Sequence, residues 1–167
     1  MRDVAVALSV LLCVGCSSGA PSPREEGFVT RPDPARLRDF AQRYTAAWCS
    51  QDAASVAAFF APDGSLRVNE NAPAVGRDAI TEVAQGFMTA FPDMQVLMDD
   101  LAVEGDRAVY RWTLVGANTG PGGTGRRVRI SGFEEWRIGP DGLIAESLGH
   151  FDAEEYRRQL EGGEKPN

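Results

Sequence analysis

The chain has 167 residues, enough for one domain with extensions, and ordinary globular proportions of hydrophobic (43%) and charged (25%) residues. Its formal net charge is −7, and it has no run of basic residues. This charge argues against nucleic acid and anionic membrane surfaces as the main partners, and it is typical of an acidic surface that keeps a protein soluble.

The N-terminus has the pattern of an export signal. Val4 to Val14 is an uncharged apolar run behind Arg2, too short to span a bilayer but long enough for the core of a signal peptide. The Val-Gly-Cys that follows resembles a bacterial lipoprotein signal, in which cleavage before Cys16 exposes that cysteine for lipidation. The alternative is an ordinary secretory signal that is cleaved near Ala20.

These segments predict how the chain is organised. Residues 1–15 are the predicted signal peptide, and residues 16–33 are the lipidated cysteine and a flexible tether rich in Ser, Pro, Gly and charge. One domain is predicted over residues 34–160, with a disordered tail at 161–167. We therefore expect an exported protein that is held at the cell membrane or outer membrane by its lipid only.

Helical signals dominate the first half of the domain. Asp33 and Pro34 suit the N-cap and first position of a helix, and Asp52 suits the N-cap of a second one. Pro92 stops a third helix, which has one apolar side. The patterns predict helices at 34–48, 52–60 and 76–91, a turn at 61–64 and a strand at 65–69.

Alternating patterns dominate the second half. They predict long strands at 94–104, 108–117, 127–138 and 143–151. No helix follows the glycine-rich residues 116–125, so these form a loop and not a phosphate-binding motif. Val128 and Ile130 are expected to point inward, and Gly132 in mid-strand predicts a bulge or sharp bend. Helices gathered on one face of such an antiparallel sheet make an α+β domain.

The last strand carries an unusual polar stripe. Period-two alternation places Glu146, Leu148, His150 and Asp152 on one face. Two carboxylates and the single histidine of the chain are costly to bury unless they line a pocket, so this stripe is the predicted site. One histidine without a Cys/His cluster makes no zinc site, and the chain has neither a Gly-x-Ser-x-Gly elbow nor a dinucleotide fingerprint. No metal or cofactor is expected.

The run from Gly132 to Leu160 resembles the end of the SnoaL-like polyketide cyclase family, within the nuclear transport factor 2-like superfamily. That family typically ends on E-x-W-x-x-x-D and a short helix closing in Gln-Leu. Glu146, Asp152 and Gln159 match this pattern, whereas Leu148 holds the place of the Trp that shapes the pocket wall. The resemblance implies a curved sheet wrapped over helices as a cone-shaped barrel with a conical cavity. It also implies that Asp152 is a general acid/base for intramolecular aldol closure without a cofactor.

Each site residue has an alternative interpretation. Asp152 also suits the N-cap of the last helix, and one residue can serve both roles. His150 is predicted to donate a hydrogen bond to a substrate oxygen or to relay a proton, or else to be structural. Glu146 would orient His150, or is a solvated carboxylate. The predicted pocket walls are Tyr44, Trp48, Phe87, Tyr110 and Trp112, although residues of these types more often pack in the core.

The sequence predicts a domain that binds a small hydrophobic, carbonyl-containing molecule, and it leaves open whether the domain also performs acid–base catalysis of the cyclase or isomerase type. The alternative is a ligand-binding or accessory lipoprotein without catalysis. A homodimer is also predicted, because Arg129, Phe133, Glu135 and Arg137 form a charged and aromatic outer sheet face that suits a two-fold axis.

Overall fold

The computed structural model describes residues 33–162. Within this range the helices are α1 Pro34–Cys49, α2 Ala53–Ala57, α3 Arg77–Ala90 and α4 Ala153–Gly162, and the strands are β1 Phe60–Val68, β2 Ala74–Val75, β3 Gln95–Glu104, β4 Arg107–Ala117, β5 Arg127–Ile138 and β6 Ile144–Phe151. The predicted signal peptide, Cys16, the tether up to residue 32 and the tail from residue 163 lie outside the described residues and stay predictions. The last helix continues past Leu160, the predicted end of the domain.

The helix starts follow the capping residues of the sequence. Asp33 Oδ1 accepts a hydrogen bond from the backbone N–H of Ala35 at 3.0 Å, and Asp52 Oδ1 accepts one from Ala54 at 3.1 Å. Each contact satisfies a backbone donor that the first turn of a helix leaves unpaired. The predicted starts of α1 and α2 are therefore confirmed, although α2 ends at Ala57 and does not reach Phe60.

The strands form one six-stranded sheet in the order β2-β1-β6-β5-β4-β3 within the described range. Strands β3 to β6 pair antiparallel with their neighbours along the chain, and β1 pairs parallel with β6. The sheet is curved over the helices, which confirms the predicted α+β class and the nuclear transport factor 2-like architecture. The parallel pairing of β1 with β6 joins the first half of the domain to its last strand.

The predicted turn at 61–64 is wrong, because these residues lie inside β1. Phe60 pairs with Ile144 and Ser65 pairs with Glu146, so the intervening residues of β1 face a single residue of β6. Pro62 and Asp63 are exposed at this irregularity. Turn chemistry is present, but it bends one strand locally and does not end it.

The bulge predicted at Gly132 is also wrong. Gly132 pairs in regular register with Trp112 on β4 and with Phe151 on β6. A Cβ atom at Gly132 would lie 2.5 Å from Trp112 Cζ2 and 2.4 Å from the carbonyl oxygen of His150. The missing side chain therefore lets the indole ring of Trp112 lie directly on the strand.

The two faces of the sheet have different surroundings. The inner face is the one against which the helices pack, and it carries Tyr110, Glu134 and Trp136 at its centre. Tyr44 of α1 packs edge-on against Trp136, with ring centroids 5.1 Å apart, and Tyr110 stacks on Trp136 at 4.7 Å. The opposite, outer face carries the side chains that alternate with these.

Candidate functional site

Glu134 is a buried carboxyl group at the centre of the inner face. It sits on β5 between Tyr110 of β4 and Gly149 of β6, and it is 6% exposed. The alternation of β5 sends Glu134 and Trp136 to the same side, where α1 covers them. A carboxyl group in such a place is costly unless its oxygens are hydrogen-bonded.

Three neutral groups donate hydrogen bonds to the Glu134 carboxyl. Trp136 Nε1 donates to Oε2 at 2.8 Å, the hydroxyl of Ser147 donates at 2.7 Å, and the hydroxyl of Tyr44 donates at 3.0 Å. Oε1 receives only the longer contact from Tyr44, at 3.3 Å. Within residues 33–162, no basic side chain forms an ion pair with Glu134. The carboxyl group is thus held by uncharged donors.

Burial sets the protonation behaviour of this cluster. Removal from water raises the pKa of Glu134 above its ordinary value, although the hydrogen bonds from Trp136, Ser147 and Tyr44 act in the opposite direction. Burial and the neighbouring Glu134 charge raise the pKa of Tyr44. Burial likewise raises the pKa of Tyr110. Both tyrosines therefore stay neutral, and Glu134 is the acidic member of the cluster, with a pKa above its ordinary value.

Glu134 lies on the wall of a small inner cavity of about 50 Å³. By the same measure a water molecule needs roughly 10–15 Å³, so the inner cavity has room for a few non-hydrogen atoms. Glu134 is the one carboxyl group among its lining residues in the described range. The rest of the wall is apolar and aromatic: Trp48, Leu66, Val68, Phe87, Val96, Tyr110, Trp112, Leu114, Gly149 and Phe151.

A larger cleft of about 480 Å³ adjoins the inner cavity. We call it the α3/α4 cleft, because its walls are Val83 and Phe87 of α3, Ala153 and Tyr156 at the start of α4, and the loop 69–72. Both spaces share lining residues, namely Leu66, Val68, Phe87 and Phe151. The inner cavity and the α3/α4 cleft are therefore neighbouring spaces that border on the same four side chains.

The predicted pocket walls divide into two groups. Trp48, Phe87, Tyr110 and Trp112 line the inner cavity together, and their role in binding a ligand stays a prediction. Tyr44 is fully buried behind them and touches the site through its hydrogen bond to Glu134. The same aromatic side chains thus pack in the hydrophobic core and line the cavity.

The predicted stripe of β6 does not line the inner cavity. Glu146, Leu148 and His150 share one face as expected, but it is the outer face of the sheet, opposite Phe133, Glu135 and Arg137 of β5. Arg107 Nη2 donates to Glu146 Oε2 at 2.6 Å, and the His150 ring stacks on Phe133 at 5.0 Å. The sequence analysis assigned the wrong face of β6 to the pocket, because Ser147, Gly149 and Phe151 are the residues of this strand that point inward.

Asp152 caps α4. Its Oδ1 accepts hydrogen bonds from the backbone N–H groups of Glu154 at 3.0 Å and Glu155 at 2.9 Å, which confirms the alternative interpretation of this residue. Its side chain is exposed and shares an open surface cleft with His150 on the outer side of the sheet. The structure brings His150 and Asp152 near each other but away from the inner cavity, so their catalytic role stays a prediction.

Glu134 was missed at the sequence level, although a signal for it was present. Val128 and Ile130 were expected to point inward, and strict alternation from them places residues 132, 134 and 136 on the same side. A carboxylate that alternates into phase with buried Val, Ile and Trp is the pattern of a functional or hydrogen-bonded buried acid. Two consecutive glutamates, Glu134 and Glu135, are typical of a solvent-exposed segment, so the inward position of Glu134 was not recognised.

Other site types find less support in the described part of the chain. Between residues 33 and 162, no group of three or more His, Cys, Asp or Glu side chains is arranged to hold a metal ion. In the same range, no helix combines the length and the apolar character that a membrane span requires.

The family profile described as SnoaL-like polyketide cyclase matches residues 38–160, which is most of the chain. The chain belongs to this family. The resemblance that rested on the last thirty or so residues therefore extends over the whole SnoaL-like domain. Among curated proteins, no relative matches the sequence.

Solved structures support the same fold. TsrD from Streptomyces laurentii is 28% identical, with 79% of this chain and 98% of that chain covered and a TM-score of 0.67. A protein with a ketosteroid isomerase-like fold from Catenulispora acidiphila, solved in complex with trimethylamine, is 15% identical, with coverages of 74% and 92% and a TM-score of 0.65. The epoxide hydrolase/cyclase-like enzyme SalBIII, named for a role in pyran ring formation in the polyether salinomycin, is 16% identical, with coverages of 74% and 95% and a TM-score of 0.63.

Proposed function

We propose that this SnoaL-like domain binds a small hydrophobic, carbonyl-containing molecule and catalyses proton transfer on it, as a cyclase or isomerase does, without a cofactor. The observation that carries the proposal is Glu134, a buried carboxyl group without a counter-charge on the wall of an apolar cavity. Membership of a polyketide cyclase family and the fold shared with the cyclase-like SalBIII support this reaction type.

The chemistry follows from the surroundings of Glu134. Its carboxylate would accept a proton from the carbon next to the ligand carbonyl. The electron pair of that C–H bond would form a C=C bond, and the π pair of the C=O bond would move to the oxygen, which gives an enolate. The neutral carboxyl group then returns a proton to the same or another carbon. The raised pKa favours this exchange, because a stronger base removes a weakly acidic proton more easily. The hydrogen bonds from Trp136, Ser147 and Tyr44 hold the carboxyl group in place.

The test is hydrogen–deuterium exchange at the α-carbons of 2-hexanone in D₂O, followed by NMR with and without the protein. We expect Glu134→Gln to lower the protein-dependent rate by about 100-fold or more, the usual worth of a positioned acid or base. The matched control is Glu135→Gln, which removes the neighbouring carboxylate on the outer face and should leave the rate unchanged. Full exchange by Glu134→Gln would overturn the proposal.

The same assay tests the residue that the family resemblance implied. Asp152→Asn keeps a side chain that caps helices about as well as Asp, so the fold is retained while the titrating group is lost. We expect no loss of exchange, because Asp152 lies outside the inner cavity. A loss of about 100-fold in Asp152→Asn, with none in Glu134→Gln, would assign the reaction to Asp152 instead.

A second candidate is a binding protein that does no chemistry. It is favoured by the hydrogen bonds that already reach the Glu134 carboxyl, because a carboxyl group with a purely structural role would have the same donors. Binding of 2-hexanone with no protein-dependent exchange would support this candidate and exclude catalysis on ketones.

A further inference from the structure

The inner cavity and the α3/α4 cleft share four lining side chains in the described range. We call Leu66, Val68, Phe87 and Phe151 the dividing wall. Leu66 and Val68 lie on β1 and Phe151 ends β6, so three members belong to the sheet. Phe87 faces them from α3. A group that enters the inner cavity from the α3/α4 cleft therefore has to pass between Phe87 and the sheet.

The members of the dividing wall on the sheet are held in place by their strands. Leu66 is 3% exposed, and both residues of β1 stand where that strand pairs with β6. The Phe151 ring meets the Tyr156 ring edge-on, with centroids 5.5 Å apart. Phe87 is half-buried and meets the ring of Trp48 edge-on at 6.1 Å. The Phe87 ring is thus the part of the dividing wall that can be shortened without altering a strand.

The size of the inner cavity limits what can enter it. Its volume is about 50 Å³, whereas a buried apolar cavity that holds benzene has about 150 Å³. The end of an open carbon chain therefore fits, and a six-membered ring does not. The α3/α4 cleft, with about 480 Å³, takes either. Since the wall of the inner cavity is largely apolar and aromatic, shape decides which part of a ligand enters it.

Phe87 is placed to enforce this limit. Because its ring borders both spaces, the volume that the ring vacates in Phe87→Ala is continuous with the inner cavity and with the α3/α4 cleft. Val83 lies one turn earlier on α3 and lines the cleft without lining the cavity. Shortening Val83 therefore enlarges the cleft alone. The two positions on one helix distinguish a joining of the two spaces from a general loosening of α3.

We propose that Phe87 is a specificity-determining residue of this site. Its ring admits the narrow end of an open-chain ligand to the inner cavity and excludes a ring-shaped ligand, which stays in the α3/α4 cleft. This inference rests on the proposed function, since it assigns the ligand to the cavity that Glu134 borders. It adds that the substrate is an open-chain ketone and not a cyclic one.

The probes are 2-hexanone and cyclohexanone, ketones of equal carbon number with an open and a closed chain. Binding is followed by NMR of ¹³C-labelled methyl groups, because each space has its own reporters. Val96 and Leu114 line the inner cavity but not the α3/α4 cleft, and Val83 lines the cleft but not the cavity. In the wild type we expect 2-hexanone to shift the signals of all three residues and cyclohexanone to shift those of Val83 alone.

The variant Phe87→Ala should let cyclohexanone shift the signals of Val96 and Leu114. We expect cyclohexanone to bind about tenfold more tightly than to the wild type, the usual worth of a methylene group in an apolar pocket. The matched control is Val83→Ala, in which cyclohexanone should still leave Val96 and Leu114 unshifted. Circular dichroism checks that the variants fold. If Phe87→Ala does not fold, the milder Phe87→Leu and the comparison of the two ketones in the wild type carry the test.

The outcomes separate this inference from the proposed function. Shifts of Val96 and Leu114 by cyclohexanone in the wild type or in Val83→Ala overturn the role of Phe87, and so does continued exclusion of cyclohexanone by folded Phe87→Ala. None of these results touches the proposed function. The expected methyl shifts, combined with 2-hexanone exchange that Glu134→Gln does not lower, remove only the catalytic proposal. If neither ketone shifts Val96 or Leu114 in any of the proteins, both proposals are overturned.

Discussion

A glutamate on the inner face of the sheet and a glutamate on the outer face have opposite surroundings. Glu134 on the inner face is 6% exposed and is held by a tryptophan, a serine and a tyrosine. Glu146, on the outer face of the next strand, has a side chain 30% exposed and is paired with Arg107 at 2.6 Å and with Arg137 at 4.0 Å. The inner carboxyl group faces neutral donors, and the outer one faces cations.

This difference concerns the charges that surround the two carboxyl groups. An adjacent cation favours the charged form of a carboxylate, whereas burial among neutral groups disfavours it. Burial among neutral groups therefore raises the pKa of Glu134 above its ordinary value. The two glutamates on adjacent strands thus differ in their electrostatic surroundings because they lie on different faces of the sheet, and not because of their neighbours in the sequence.

The largest effect on stability is expected from Glu134→Leu. This change leaves Trp136 Nε1, the Ser147 hydroxyl and the Tyr44 hydroxyl without an acceptor in a buried place. Because each such group costs about 1–3 kcal/mol, the free energy of unfolding should fall by about 3 kcal/mol or more in urea denaturation. The matched change Glu135→Leu on the outer face should stay within about 1 kcal/mol of wild type. Equal losses for the two variants would show that the faces do not differ energetically.

An intermediate effect is expected from Gly132→Ala, which tests the packing beneath Trp112. The new methyl group meets the Trp112 ring and a backbone oxygen at distances well below van der Waals contact. Overpacking of this kind should lower the free energy of unfolding by about 1–3 kcal/mol, measured by urea denaturation. Gly86→Ala is the control: nothing lies within 4 Å of that site in α3, and Ala should stabilise the helix by about 0.5–1 kcal/mol. A neutral Gly132→Ala would mean that the Trp112 ring is free to move.

The smallest expected effect is a pH dependence of stability that arises from Glu134 on the inner face and not from Glu135 on the outer face. Because the folded-state pKa of Glu134 is raised, its contribution to stability is fully present below the ordinary carboxyl value of 4.5 and is lost as pH rises through the raised pKa. Over a pH range that begins below 4.5 and extends upward, wild-type stability should therefore fall relative to Glu134→Gln, which cannot titrate. Thermal melts of both proteins across this range measure the difference. Glu135→Gln should run parallel to wild type, and a pH-independent gap between wild type and Glu134→Gln would contradict the raised pKa.

Most of the fold could be predicted from the sequence, because its signals are local. Capping by Asp33 and Asp52 and the alternation of the four long strands gave elements that the structure confirms. The parallel pairing of β1 with β6 could not be predicted, since it joins residues some eighty positions apart. The same pairing explains why Pro62 and Gly64 bend a strand and do not end it.

The candidate site was predicted in part. The aromatic residues Trp48, Phe87, Tyr110 and Trp112 were assigned to the pocket and do line the inner cavity. The residues predicted as acid and base, His150 and Asp152, lie away from this cavity, and their catalytic role stays a prediction. The predicted homodimer through the outer face, where Arg129 and Arg137 are exposed, stays a prediction.

The sequence by itself determined the family, the helices and strands, and the two alternating sets of side chains on each strand. Only the tertiary structure decided which of the two sets is buried. The physical reason is that period-two alternation assigns side chains to two opposite faces of a strand but does not indicate which face is buried. Burial depends on which helices pack against the sheet. The hydroxyl of Tyr44 reaches Glu134 from a helix 90 positions away in the sequence, and that contact places Glu134, and not Glu146, in the site.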